Sequence, residues 1–158
     1  MKENVQIDSE IVHDLLDLAC FYNSQNEENV DPYDLFYKSN HLDDEQPLQN
    51  TWKNDGFANQ LFDSIENKTS RAYSSMILGT GKYGNFERSY ELYQQALEAK
   101  LRLNVETYNS ILSICYNLKS TNEERWDEMM NILKTMNKNQ IAPNTETLNT
   151  CLMQIFKF

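Results

Sequence analysis

Apolar residues recur along the second half of the chain with the spacing of an amphipathic helix. After residue 105 they fall at offsets of 0, 3, 4 and 7, at Tyr108, Ile111, Leu112 and Cys115. This spacing places one apolar stripe on one helix face. The same spacing returns around residue 148 and, with a threonine in the last place, around residue 73. Each segment is therefore predicted to form a helix that packs on one side.

The helices are predicted to occur in pairs, and the pairs repeat. A second amphipathic segment begins near Phe86 and another near Trp126, so both aromatic residues are expected to lie buried between stacked helices. The first helices are spaced by 35 positions from Tyr73 to Tyr108 and by 40 positions from Tyr108 to Leu148. Self-similarity with such a period is typical of a solenoid, in which each unit packs against its neighbours.

The front of the chain is predicted to contain a degenerate helix pair. Residues 7–22 carry an apolar stripe, and residues 57–66 form the second helix. Between them, seven acidic residues against one lysine fall within residues 24–50, so the insert at about 24–55 is expected to be a loop or partly disordered. An aromatic cluster at 33–37 either packs back on the domain or binds another protein. The stripe of the opening helix consists of Ile11, Leu15, Leu18 and Tyr22.

These patterns divide the chain into three parts. Residues 1–69 form the degenerate pair, 70–104 and 105–144 form two full repeats, and 145–158 form the first helix of a truncated further repeat. Because no second helix follows that last one, the far side of its apolar stripe is expected to be exposed, as at Leu148.

The repeats resemble the pentatricopeptide repeat family. The resemblance rests on Val-Glu-Thr-Tyr-Asn-Ser-Ile-Leu at 105–112, on Met136 and on Ile-Ala-Pro-Asn at 141–144. The first full repeat departs from the family pattern, with Ala96 in place of the Met and Leu103 in place of the Pro. The resemblance implies an all-α fold, a right-handed solenoid of stacked antiparallel helix pairs. Within the family, the likeness is to members that belong to the mitochondrial small ribosomal subunit.

The resemblance also implies RNA-binding positions. Family members read one base per repeat with the residue after the opening Tyr and the last residue of the repeat. Here these are Ser74 with Asn104, expected to favour adenine, and Asn109 with Asn144, expected to favour a pyrimidine, while Asn149 lacks its partner. The alternative is structural, because Asn at a repeat end also caps the next helix.

The implied function is RNA-associated support of mitochondrial translation, with ribosomal RNA, messenger RNA and mitochondrial ribosomal proteins as partners in the matrix. The alternative is a protein-interaction scaffold without RNA contact. The two differ in the concave face of the first helices. Arg71, Lys82 and Lys119 converging there with the polar positions would favour RNA, whereas an apolar or acidic groove would favour a protein.

The net charge of the chain argues against strong RNA binding but does not exclude RNA binding. The net charge is −10, but residues 1–69 hold 15 acids and 4 bases, whereas residues 70–158 hold 9 acids and 10 bases. The repeats are thus nearly neutral, and phosphate binding normally needs clustered Lys and Arg. We therefore expect only weak, salt-dependent RNA binding.

No catalytic or metal-binding pattern emerges. The sequence lacks a glycine-rich phosphate loop, G-x-S-x-G and HExxH, and no cofactor, metal, membrane or small-molecule substrate is expected. The cysteines Cys20, Cys115 and Cys151 are interpreted as small buried residues. The first fifteen residues carry four acids, unlike a transit peptide or secretory signal. If the protein works in mitochondria, this chain is expected to be a mature or internal segment.

Overall fold

The described residues form a stack of α-helices. A computed structural model describes residues 8–23 and 51–156, and within these ranges there are seven helices and no β-strand. The predicted all-α repeat solenoid is confirmed. The helices are α1 (Ser9–Phe21), α2 (Phe57–Ser64), α3 (Ser70–Lys82), α4 (Phe86–Glu98), α5 (Val105–Leu118), α6 (Asn122–Lys138) and α7 (Thr145–Ile155).

The helices lie in two layers. The first helices of the pairs, α1, α3, α5 and α7, pack against one another in succession, and α2, α4 and α6 each pack on the first helix of their own pair. Ring contacts join the layers: Tyr93 of α4 meets Tyr108 of α5 edge-on, with 5.9 Å between ring centroids. Such edge-to-face pairs stabilise a core beyond the area that they bury.

Short polar side chains fix where the helices begin. Thr69, Asn85, Asn104, Thr121 and Asn144 each cap a helix by accepting a hydrogen bond from a backbone N–H of its first turn. Each cap satisfies a donor that has no partner inside the helix. At α6 the capping is reciprocal, and the hydrogen bond from the Thr121 backbone lowers the pKa of the Glu124 carboxyl.

Helices α4 and α6 end in the same way. Lys100 and Gln140 both take a left-handed backbone, with φ of 54° and 57°. The N–H of Leu101 donates to the Ala96 carbonyl at 3.0 Å, and the N–H of Ile141 donates to the Met136 carbonyl, also at 3.0 Å. This is the hydrogen-bond pattern of a Schellman turn, for which glycine is the usual residue.

The predicted alignment of the second helices is supported, but the predicted burial of Trp126 is wrong. Residues 40 positions apart are buried in pairs, with Leu92 and Ile132 as one example. Trp126 is nevertheless 45% exposed, whereas Phe86 is partly buried against the core. Trp126 and Phe86 stand equally far from the buried Ile132 and Leu92, so the difference lies in the neighbouring helices. Helix α4 packs on both α3 and α5, whereas α6 packs mainly on α5 among the described helices.

The apolar stripe predicted on α1 lies on the exposed side of that helix. Ile11, Leu15, Leu18 and Tyr22 are exposed, whereas Leu16 and Cys20 are buried. The contact with α3 includes polar and small side chains. For example, Asp17 of α1 accepts hydrogen bonds from Arg71 and Ser75. The Cys20 thiol lies 3.5 Å from the Met76 sulfur. Leu16 and Cys20 thus form the buried face of α1, and the ion pairs with Arg71 lie at its exposed edge.

At the other end of the stack, the expected exposure of α7 is found. Leu148 is 62% exposed, and Leu152, Ile155 and Phe156 are exposed as well. The equivalent positions of α5, Tyr108, Leu112 and Cys115, are buried.

The segment before α2 contains a core residue that the sequence pattern had assigned to the acidic insert. Trp52 is buried, its backbone N–H donates to the Tyr83 carbonyl at 3.2 Å, and a Cβ added at Gly79 would lie 2.8 Å from its ring. Residues 24–50, with the aromatic cluster at 33–37, lie outside the described residues. The division at 1–69, 70–144 and 145–158 stays a prediction. In the described part of the chain, no helix is both long and apolar enough to cross a membrane.

Candidate nucleic-acid interface

A cleft opens where α1, α3 and the start of α5 meet, and we call it the first cleft. Its volume is about 470 Å³. Helix α3 supplies most of its wall, because Ser74, Leu78 and Lys82 recur at helical spacing along the side next to α1. The remaining lining residues are Asp17, Cys20, Phe21, Ser70, Arg71, Ser75, Gly79, Arg102 and Asn104.

The first predicted pair of base-contacting residues meets in this cleft. Ser74 lies on α3 and is 7% exposed, while Asn104 is the exposed N-cap of α5. The side-chain oxygen of Asn104 accepts hydrogen bonds from the backbone N–H of Thr107 at 3.0 Å and from its hydroxyl at 2.6 Å. Its amide NH₂ donates to none of the described residues. The pair therefore presents a hydroxyl and a hydrogen-bond donor to the cleft.

Three cations lie around the pair, and two carboxylates bind one of them. Arg71 binds Asp14 at 2.5 Å and Asp17 at 2.6 Å, and these hydrogen bonds raise the pKa of its guanidinium, that to Asp17 more than that to Asp14. The ammonium of Lys82 lies 3.6 Å from the centre of the Phe21 ring. Arg102 donates to the Gln140 carbonyl at 3.4 Å. Positive charge thus prevails in the cleft.

Lys119 does not join this group. It lies 3.8 Å from Glu128 of α6, away from the first cleft. Arg102 takes the place that we expected for it. Its position in the sequence, two residues before the capping Asn104, is the signal that could have identified it.

The second predicted pair meets as well, but its hydrogen bonds are internal. Asn109 is 3% exposed, and its amide NH₂ donates to Asn144 at 3.2 Å and to Glu146 at 3.1 Å. Its carbonyl oxygen accepts from the Thr147 hydroxyl at 2.7 Å. Asn144 in turn caps α7. Asn149, the single member of a third pair, is exposed on α7 and does not line the first cleft.

The cysteines fit the expected structural role. Cys20 and Cys115 are buried and Cys151 is partly buried. Burial raises the pKa of the Cys20 and Cys115 thiols to about 12, which keeps them neutral and unreactive at physiological pH. Within the described residues, no group of three or more metal-ligating side chains is found.

Comparison with known proteins gives two family matches. The family described as small ribosomal subunit protein mS39, PPR, matches residues 1–85, and the pentatricopeptide repeat domain matches residues 91–157. Small ribosomal subunit protein mS39 of Drosophila melanogaster is 36% identical over 155 residues, which cover 96% of this chain and 23% of that protein. The Mus musculus protein of the same name is 27% identical over 169 residues, covering 99% and 24%.

These matches, together with the stacked helix pairs, show a pentatricopeptide repeat protein. Within that class, the chain belongs to the family of small ribosomal subunit protein mS39. The relatives are mitochondrial small-subunit proteins, so the expected mitochondrial location is confirmed. The chain spans about a quarter of the length of the curated relatives that it matches.

Proposed function

We propose that this chain is an RNA-contacting segment of the mitochondrial small ribosomal subunit. It supports translation there by holding single-stranded ribosomal or messenger RNA against the first cleft. Ser74 and Asn104 contact one base, with adenine as the base that the family's pairing favours, and mitochondrial ribosomal proteins hold the segment in place. The proposal assigns no catalytic step to the chain.

One observation carries this proposal: both members of a predicted base-contacting pair line the same cleft as Arg71, Lys82 and Arg102. A base edge needs donors and acceptors, and the phosphates on either side of it need cations. The first cleft offers both. Apolar side chains such as Phe21 and Leu78 also line the cleft, so the proposal rests on the polar pair and the cations and not on a lack of apolar surface.

Base contact is tested with Ser74→Ala and short single-stranded oligoadenylate and oligouridylate at low salt. A net hydrogen bond is worth about 0.5–1.5 kcal/mol, so we expect the affinity for oligoadenylate to fall about two- to tenfold and that for oligouridylate to change less. Ser113→Ala is the matched control, because Ser113 lies exposed on α5 outside the cleft. An unchanged preference in Ser74→Ala would exclude base contact by Ser74.

Ribosome association is tested on the full-length protein in its native particle. Crosslinking followed by sequencing is expected to join α3 to RNA. Crosslinks that reach only ribosomal proteins would contradict RNA contact and leave the second candidate function.

That second candidate is a protein-interaction scaffold. Its support is the apolar surface at both ends of the stack, with Ile11 and Leu18 exposed on α1 and Leu148 and Leu152 exposed on α7. Contiguous exposed apolar side chains commonly mark protein contacts. Ile11→Ser together with Leu18→Ser would then weaken incorporation into the small subunit without changing RNA affinity.

A further inference from the structure

A second cleft lies beside the first, where the turns after α4 and α6 meet. Its volume is about 640 Å³. Three of its lining residues, Lys100, Arg102 and Lys138, are cations, and among the described residues that line it none is acidic. The other lining residues are Leu97, Leu101, Thr135 and Asn139.

The repeat geometry brings these cations together. Lys138 is the last residue of α6, and Lys100 and Arg102 belong to the turn after α4. Arg102 lines both clefts, so the second cleft continues the first. A strand of RNA that leaves the first cleft past Arg102 meets Lys100 and Lys138 next.

The two lysines have no ion-pair partner in the described part of the chain. A structural explanation exists, because a cation near a helix C-terminus interacts favourably with the helix dipole. The helix dipole does not explain why position 100 is a lysine. The backbone of Lys100 is left-handed, with φ of 54°, a conformation in which glycine is unstrained. Gln140 takes the same conformation in the next repeat, so the turn itself does not require a lysine.

We infer that the second cleft binds phosphate groups of single-stranded RNA, as a continuation of the first cleft. The ligand is the phosphodiester backbone rather than a base, because the described lining residues include cations but no aromatic ring on which a base could stack. This inference rests on the proposed function and extends it: the first cleft selects a base, and the second cleft adds affinity that is independent of sequence.

The test uses the whole chain carrying Lys100→Gly together with Lys138→Gln. Binding of short oligoadenylate and oligouridylate is measured over a range of salt concentrations. Each lost phosphate contact reduces the slope of log affinity against log salt by about 0.7 on single strands, so we expect a reduction of about 1.4. Affinity at low salt should fall at least about threefold, and equally for both sequences.

Two matched controls separate the effects of overall charge and of folding from the effect of losing the second cleft. Gln140→Gly makes the same backbone change in the equivalent turn, and Lys134→Gln removes a charge from an exposed position of α6 outside the cleft. Both should leave the salt slope unchanged. Lys100→Gly should not lower the melting temperature, because glycine suits the left-handed conformation. An RNA strand of abasic nucleotides should lose the same affinity in the double variant.

The outcomes distinguish the two proposals. If the unmodified chain binds RNA and the double variant keeps its salt slope and affinity, the second cleft binds no phosphate and the proposed function stands. An equal loss in Lys134→Gln would also overturn the inference, since overall charge would then explain the effect. If the unmodified chain binds no RNA even at low salt, both the proposed function and this inference are wrong.

Discussion

The two pairs of predicted base-contacting residues lie on nearly identical frameworks but differ in what their side chains bind. Asn104 and Asn144 both cap a helix, and in both helices a Glu and then a Thr follow the cap. The positions on the neighbouring first helix, Ser74 and Asn109, differ. No hydrogen bond joins Ser74 to Asn104 among the described residues, whereas Asn109 binds Asn144 and Glu146.

Side-chain length explains the difference. The amide of Asn109 reaches across to the capping residue, and its oxygen accepts from Thr147. A serine is shorter and carries a single hydroxyl, and among the described residues no hydrogen bond ties Ser74 to Asn104, so the Ser74 hydroxyl stays available, whereas the amide of Asn109 is occupied. A position that was expected to read a base can therefore be closed by its own neighbours. We conclude that the side chain on the first helix is available for a ligand where it is Ser74 and is occupied by internal hydrogen bonds where it is Asn109.

The comparison requires that both pairs rest on equally well packed helices. Ile77 of α3 and Leu112 of α5 occupy equivalent positions and are fully buried. Replacing either by Ala should lower the free energy of unfolding by about 2–5 kcal/mol, the usual range for such core truncations. Chemical denaturation measures both. A clearly smaller loss for one of them would mean that loose packing, rather than side-chain length, distinguishes the pairs.

A smaller effect is expected from the pairs themselves. Asn109→Ala removes the buried hydrogen bonds of Asn109 to Asn144, Glu146 and Thr147 and should cost about 1–3 kcal/mol. Ser74→Ala removes no hydrogen bond to a described residue and should stay within about 0.5 kcal/mol. Thermal unfolding of the two variants compares them directly. Equal losses would show that the first pair is also held by internal contacts.

The smallest expected effect concerns charge at the open pair. Asp14→Asn removes one of the two carboxylates that bind Arg71 and leaves Asp17 in place. Because an exposed ion pair is worth at most about 1 kcal/mol, RNA affinity should rise about two- to threefold. Asp127→Asn, on the exposed surface of α6, is the control for net charge. If both variants raise affinity equally, Arg71 has no special role.

The repeats could be predicted from the sequence because their spacing follows directly from helix geometry. The helix pairs and the alignment of Leu92 with Ile132 both follow from periodicity. Periodicity shows which residues share a helix face but not which face is buried. On α1 the buried face carries Leu16 and Cys20 instead of the predicted stripe. Trp126 was misplaced because burial at its position depends on the neighbouring helices, and α6, unlike α4, packs mainly on the first helix of its own pair.

The candidate site was predictable only in part. The resemblance to the pentatricopeptide repeat family indicated which positions form pairs, and Ser74 and Asn104 do line one cleft. It could not indicate that Asn109 is satisfied internally, because this depends on distances of about 3 Å between side chains of different helices. The role of Arg102 likewise depends on the way the turn after α4 meets α3.

The most direct test of the central claim is the substitution Ser74→Asn, measured by RNA affinity. If side-chain length closes a pair, the introduced asparagine would bind Asn104, as Asn109 binds Asn144, and affinity should fall for oligoadenylate and oligouridylate alike. The melting temperature should not fall, because hydrogen bonds are gained. If the family's correspondence between residue pairs and bases alone governs the site, this variant would instead retain its affinity and change its preference from adenine to a pyrimidine. That switch would contradict the account.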